Sequence, residues 1–209
     1  MKLKHIESAI QQICPVQDFD GRPTIDLEQY TTPPRLAAEM ISTIQYDFDD
    51  IEGKIVADFG CGCGILSAGC LLMEPDTLYA VDVDMKCIEI TQMHLEEVDG
   101  IVEYLHCNIN EQMDLKGRVI DTVITNPPFG TRVQGADLGF VVAGLKAANV
   151  VYSLHKTSTR ENLRKKAREM GANGEVVSSV SFALPKMYKM HKKKSVDIEV
   201  DFWRFTKVE

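Results

Sequence analysis

Ile55-Val56-Ala57-Asp58-Phe59-Gly60-Cys61-Gly62-Cys63-Gly64 is the stretch that decides how the rest of this 209-residue chain is read. Its first five residues are apolar and β-branched enough for a buried strand. Glycines then occupy alternate positions, and Ile65 to Met73 has the composition of a helix. Strand, glycine turn and helix form a nucleotide-binding unit: glycines permit tight turning and close approach of the backbone, and the helix start supplies N–H donors. A dinucleotide fingerprint needs a third glycine three residues beyond Gly62. That position is Ile65, so the pyrophosphate reading loses ground.

Working outward, Thr77 to Asp82 reads as a second strand ending in an acid about twenty residues past the glycines, where a carboxylate accepts hydrogen bonds from ribose hydroxyls. Asp82 is the ribose-ligand candidate. Asp84 suits the N-cap of a helix over Met85 to Glu97. Ile101 to Asn108 is a third strand. Upstream, Leu3, Ile6, Ile10 and Ile13 predict an amphipathic helix closed by Pro15. Leu36, Ala37, Met40, Ile41 and Ile44 predict another helix, starting at Pro33 or Pro34 with Thr32 as its N-cap.

Downstream, Val119 to Thr125 is a β-branched strand running into Asn126-Pro127-Pro128-Phe129. The two prolines remove two N–H donors and stiffen the backbone, the Asn amide both accepts and donates, and Phe129 offers a flat face for a planar group. The result is a rigid, acceptor-rich notch at a strand end. A helix over Asp137 to Asn149, a strand over Val150 to His155 and a helix over Arg160 to Met170, capped by Ser158 or Thr159 and ended by Gly171, follow. Glu175 to Leu184 and Ser195 to Phe205 alternate as two long strands.

Length and ordinary apolar content fit one domain over 1–209, with 1–50 as N-terminal helices and a cofactor-covering segment and 51–209 as the sheet core. No apolar run is long enough for a signal peptide or a membrane span, so an intracellular protein is expected. Six cysteines in a reducing compartment stay as thiols. Cys61-Gly62-Cys63 lacks the second close-spaced pair that a zinc site requires, and no metal is expected. The net charge of -8 argues against indiscriminate binding to nucleic acid, yet residues 156–194 hold eleven Lys or Arg against three Asp or Glu. Lys192, Lys193 and Lys194 could neutralise phosphates there without reading sequence; a lysine run by itself is more often a solvated loop.

The pattern Asp58-x-Gly60-x-Gly62-x-Gly64 resembles the first motif of class I methyltransferases, which bind S-adenosylmethionine. The order of elements resembles their α/β fold: a seven-stranded Rossmann-like sheet, mostly parallel with an antiparallel last strand and helices on both faces. In that class the third strand commonly ends in an Asp that binds the cofactor's adenine amine. Asn108 stands there, a neutral and weaker acceptor. Asn126-Pro127-Pro128-Phe129 resembles the motif of enzymes that methylate planar amino groups, either adenine or a glutamine side chain. Leu27-Glu28-Gln29-Tyr30-x-Thr32, Asn126 to Thr131, Tyr152 to Lys156 and His191 to Asp201 extend the likeness over nearly the whole chain, to the methyltransferase-like protein 5 family.

That resemblance implies N(6)-adenosine methylation of small-subunit (18S) ribosomal RNA, in the nucleus, nucleolus and cytoplasm, by a heterodimer with a small zinc-ribbon activator. It implies that the Asn126 oxygen and the Pro127 carbonyl accept the two amine N–H bonds, with Pro128 stiffening the notch and Phe129 stacking on an extruded base. It places Gln29, Thr32, Asp58, Gly60, Cys63, Ile65, Asp82, Asn108 and Ile109 around the cofactor. Two rivals stand beside it. A glutamine methyltransferase acting on a translation factor would share the notch but typically carries Tyr at the place of Phe129. A non-catalytic RNA-binding subunit would keep only the fold.

Overall fold

The computed structural model describes residues 1–15, 30–110, 117–129, 135–185 and 195–208. In α1 (Leu3–Ile13), Ile6 and Ile10 lie one turn apart and are fully buried. α2 (Pro34–Phe48) begins on a proline, whose missing N–H would have lacked a helical partner anyway. No side chain caps it: the N-cap position is Pro33, and the expectation that Thr32 fills it is corrected, because the Thr32 hydroxyl is engaged by Asn126. α2 buries Leu36, Ala37, Met40, Ile41 and Ile44 against α1 and α3 (Ile65–Leu71). Gly69 of α3 allows that approach, since a Cβ there would come within 2.8 Å of Ile41.

β1 (Ile55–Phe59), β2 (Thr77–Asp82), β3 (Val102–His106), β4 (Ile120–Thr125) and β5 (Ala148–Lys156) are joined as parallel pairs. β7 (Ser195–Lys207) lies antiparallel between β5 and β6 (Ala172–Pro185), giving the order β3-β2-β1-β4-β5-β7-β6. This is the expected class I methyltransferase sheet. Strand alternation divides the core. Val56, Leu78 and Ile124 face the layer of α1, α2 and α3, joined by Leu95 of α4 (Met85–Leu95), while Ala57, Phe59 and Val123 face α5 (Ala136–Ala147) and α6 (Arg160–Glu169).

Asp84 caps α4 as expected, its carboxylate accepting from Lys86 N at 3.1 Å. Thr159 occupies the cap position of α6, but its hydroxyl donates backwards to Lys156 O through the 3-10 turn Thr157–Thr159. β5 begins at Ala148 and β6 at Ala172, both earlier than alternation suggests. Gly171, at φ 69°, reverses the chain at the end of α6 and delivers it directly into pairing with Lys207.

Topology places the site. The chain runs from β1 out to β2 and β3, then returns to β4 on the other flank of β1, so the carboxyl ends of β1 and β4 form the switch-point crevice where ligands bind in open α/β sheets. Pairing of Phe59 with both Val81 and Thr125 brings Gly60, Asp82 and Asn126 to one edge. The Thr125 hydroxyl donates to Phe59 O at 2.7 Å and ties the two strand ends together.

Candidate active site

The glycine turn is held from three sides. Gly60, Gly62 and Gly64 have φ of 74°, 58° and 84°, the left-handed region that other residues adopt only with strain. Gly62 N donates to Asp82 Oδ2 at 3.0 Å, and Asp84 N to Asp82 Oδ1 at 2.9 Å. From α4, Thr91 Oγ1 donates to Gly62 O at 3.0 Å, and His94 Nδ1 lies 2.8 Å from Cys63 O. These two braces fix two carbonyls of the turn, while Gly60 N and Cys61 N donate to Val81 O and Gly64 N to Cys61 O. Sequence reading missed both braces. Their spacing of three residues on the inner face of α4 was the available signal.

Two carboxylates lie under the turn. Asp82 is nearly buried, and desolvation raises its pKa although the backbone N–H groups of Asp84 and Gly62 oppose the rise. Its oxygens retain lone pairs beyond the two backbone bonds. Asp58 is fully buried: Oδ2 accepts from Ser67 Oγ at 2.7 Å, and Oδ1 has no hydrogen-bond partner among the described residues. Desolvation pushes its pKa up to about 7, against the pull of the Ser67 hydrogen bond. Cys61 and Cys63 are buried beside them, and burial pushes the Cys63 thiol up to about 11. Both therefore remain apolar fillers at neutral pH.

Asn126 follows β4 directly, and the segment before α2 grips both ends of its amide. Asn126 Nδ2 donates to Thr32 Oγ1 at 2.8 Å, and the Tyr30 hydroxyl donates to Asn126 Oδ1. Tyr30 stacks on Phe129 with ring centroids 5.2 Å apart and planes 16° apart, and Lys156 Nζ lies 5.9 Å from the Phe129 centroid. Tyr30, Thr31, Thr32, the turn from Gly60 to Cys63, Ile65, Leu66 and Asn126 line one small cavity. The structure thus brings Thr32, Gly60, Cys63, Ile65 and Asn126 together, with Asp58 beneath them. Tyr30 was absent from the sequence-derived set. Tyr30 and Thr32 alternate ahead of the helix, a spacing that in extended chain sends both side chains the same way.

Asn108 and Ile109 do not line this cavity, although Cys107 N beside them donates to Asp82 O at 3.0 Å. Asn108 is exposed, beyond the end of β3, and its Oδ1 accepts from Asn110 N at 3.0 Å. Ile109 is partly buried against the core on the α5 side. Gln29, Lys192, Lys193 and Lys194 lie outside the described residues.

On the neighbouring strand, Ser153 Oγ is 2.8 Å from His155 Nε2, and His155 Nδ1 is 3.1 Å from Asp137 Oδ2. The row has the order of a hydrolase triad, but Ser153 and His155 are fully buried, so no substrate carbonyl reaches the serine. Its effect is to tie β5 to the first turn of α5, the helix that follows the notch. Burial raises the Asp137 pKa, and the hydrogen bond and charge of His155 outweigh this to hold it below the usual carboxylate range.

Comparison with known proteins identifies the fold and the family. Residues 38–148, from α2 to the first residue of β5, match the methyltransferase small domain. The solved structure of PH1948 from Pyrococcus horikoshii superposes with a TM-score of 0.88 at 32% identity, covering 100% of this chain and 99% of that one. The rRNA N(6)-adenosine-methyltransferase METTL5 of Danio rerio is 44% identical, over 99% of each chain. Mettl5 of Drosophila melanogaster, under the same description, is 42% identical over 98% of this chain and 96% of its own. With similarity of this strength running from end to end, the chain belongs to the METTL5 family of rRNA N(6)-adenosine-methyltransferases.

Proposed function

We propose that this chain transfers a methyl group from S-adenosylmethionine to the exocyclic amine of an adenosine in small-subunit (18S) ribosomal RNA, as the catalytic subunit of a heterodimer. The observation that carries this is Asn126: its Oδ1 stands at the switch-point crevice with its orientation fixed by Thr32, and it already accepts an O–H bond where the amine would donate. The relatives described as rRNA N(6)-adenosine-methyltransferases support an adenosine of ribosomal RNA as the substrate.

The residues fit a cofactor carrying a sulfonium and an ammonium group. The buried crevice floor holds Asp58 and Asp82, and among the described residues one Asp58 carboxylate oxygen has no hydrogen-bond partner and no Lys or Arg lines the cavity above them. Asp82 and the ionised form of Asp58 would repel a pyrophosphate and attract a cation, which in turn favours that ionised form. When bound, S-adenosylmethionine supplies an electrophilic methyl group. Asp82 would hold the ribose hydroxyls. The turn with Gly60, Cys63 and Ile65 would hold the methionine end together with Gln29 and Thr32, and Asn108 and Ile109 would flank the adenine.

An exocyclic amine is a poor nucleophile because its lone pair is delocalised into the ring. Asn126 Oδ1 and the Pro127 carbonyl accept its two N–H bonds, orient the lone pair and stabilise the positive charge that develops on nitrogen. Pro128 keeps the notch rigid, and Phe129 stacks on the base. Lys156 near Phe129, with Lys192, Lys193 and Lys194, would neutralise phosphates.

The partner surface is the β3 edge. Among the described residues β3 ends the sheet, a place suited to strand addition, and a groove between α4 and β3 is lined by Glu89, Met93, Glu96, Val98 and Tyr104. Met93 and Ile101 beside it are 57% and 56% exposed, large apolar side chains suited to burial by a small zinc-ribbon activator. In this reading residues 1–209 act as one methyltransferase domain, and the complex works in the nucleus, nucleolus and cytoplasm.

Incubating the co-expressed heterodimer with labelled cofactor and total RNA, and separately with total protein, tests the assignment. Label is expected in 18S RNA as N(6)-methyladenosine. Label confined to glutamine in protein would transfer the notch to the rival substrate, and label in neither would leave only a binding subunit.

A further inference from the structure

We propose that Tyr30 is a stand-in for the target base: in the substrate-free enzyme it occupies the stacking face of Phe129 and the amine acceptor of Asn126, and the substrate must replace it at both. This deepens the acceptor-site assignment above and rests on it.

Each of the two contacts copies one made by a base. The Tyr30 ring lies over Phe129 at 5.2 Å and 16°, an offset-stacked arrangement of the kind an adenine would adopt. Its hydroxyl donates to Asn126 Oδ1, the atom assigned to receive an amine N–H. A base that stacks on this same face of Phe129 and donates along the same lone pair of Asn126 Oδ1 displaces both contacts, because each serves one partner at a time. The space left agrees: the cavity lined by Tyr30, Thr32, the glycine turn and Asn126 has a volume of about 30 Å³, too small for a purine ring. Thr32 plays the opposite part. It accepts from Asn126 Nδ2, a group the substrate does not need, so the amide stays correctly turned when Tyr30 leaves.

The arrangement has two consequences. It keeps the apolar face of Phe129 and the oxygen of Asn126 occupied between turnovers. It also discriminates, because only a ring that carries an exocyclic amine replaces both lost contacts in the geometry assigned above; uracil, whose N–H lies within its ring, leaves Asn126 Oδ1 without its donor.

The test is Tyr30→Phe in the co-expressed heterodimer, with ribosomal RNA lacking the modification as substrate. The variant retains the ring and loses the bond that holds Tyr30 in place. KM for RNA should fall by roughly 3- to 10-fold with kcat unchanged. An unchanged KM, a raised KM or a lowered kcat overturns the proposal, the last two by showing that the hydroxyl serves the bound substrate. A second measurement needs no turnover: with fluorotyrosine incorporated, and the Tyr30 resonance assigned by its loss in Tyr30→Phe, hexa-adenylate should shift that fluorine signal and hexa-uridylate should not. No shift with hexa-adenylate, or equal shifts with both, overturns it. Wild-type turnover in the same assay separates the two readings, because label absent from RNA refutes the acceptor assignment and not the placement of Tyr30.

Discussion

Asp58→Asn separates a buried charge from its surroundings by pH. In the unfolded chain this carboxyl ionises near its ordinary 3.8, whereas complete burial moves it to about 7 in the fold. Between those values the folded protein holds one proton more than the unfolded chain. Stability therefore falls as pH rises through this window and levels off above 7. Each pH unit is worth about 1.4 kcal/mol, so the full window amounts to about 4 kcal/mol and the interval from pH 5 to 7 to about 3 kcal/mol. For a chain of this size that is a difference of about 6–12 °C in Tm. Asparagine accepts the Ser67 bond equally well and stays neutral, so any packing penalty it introduces is a constant offset with no pH slope. Thermal melts of both proteins from pH 5 to 8 should converge or cross as pH rises, with the wild type losing relative stability. Saturating S-adenosylmethionine should flatten the wild-type slope, since its sulfonium charge favours the ionised carboxylate. Parallel slopes for wild type and variant without cofactor would refute the idea that Asp58 is protonated in the fold.

Four further outcomes follow from the geometry. Asn126→Ala should abolish methyl transfer while leaving the cofactor Kd within about twofold by calorimetry; simultaneous loss of both would make the residue structural. Asp137→Ala leaves the buried His155 Nδ1 without its acceptor and should lower stability by about 1–3 kcal/mol in urea denaturation, with unchanged stability excluding the tie between β5 and α5. Replacing Lys192, Lys193 and Lys194 by Gln should weaken RNA binding and reduce the slope of log K against log salt by about 2, if all three meet phosphates; an unchanged slope removes them from the interface. Met93→Glu with Ile101→Glu should prevent copurification of the activator subunit without lowering the melting temperature of the isolated chain, and retained copurification would move the partner off the β3 edge.

The sequence by itself determined the order of helices and strands, the glycine turn and the chemistry at two strand ends. These depend on periodicity and on neighbours within a few residues, and they are read with local rules. Gly60 to Gly64 needs glycine because of its own φ angles, and Asp84 caps the helix that follows it. Asp82 was legible as an acid at a strand end, though not as the group that also anchors Gly62 N. Resemblance supplied the seven-stranded order, whereas pairing decided its ends: Ala172 belongs to a strand because Lys207 lies opposite.

Only the tertiary structure could decide what Asn126 touches. Tyr30 and Thr32 stand 96 and 94 residues away from it, and they meet it because α2 packs onto α3 across Gly69 and so carries its leading segment over the switch point. Locally, Thr32 is a good N-cap, and that rule lost to a longer-range hydrogen bond. The burial of Asp58 and the sealing of Ser153 and His155 have the same origin. They depend on which surfaces close over a residue, and that is set by the whole sheet and its two helical layers rather than by any stretch of chain.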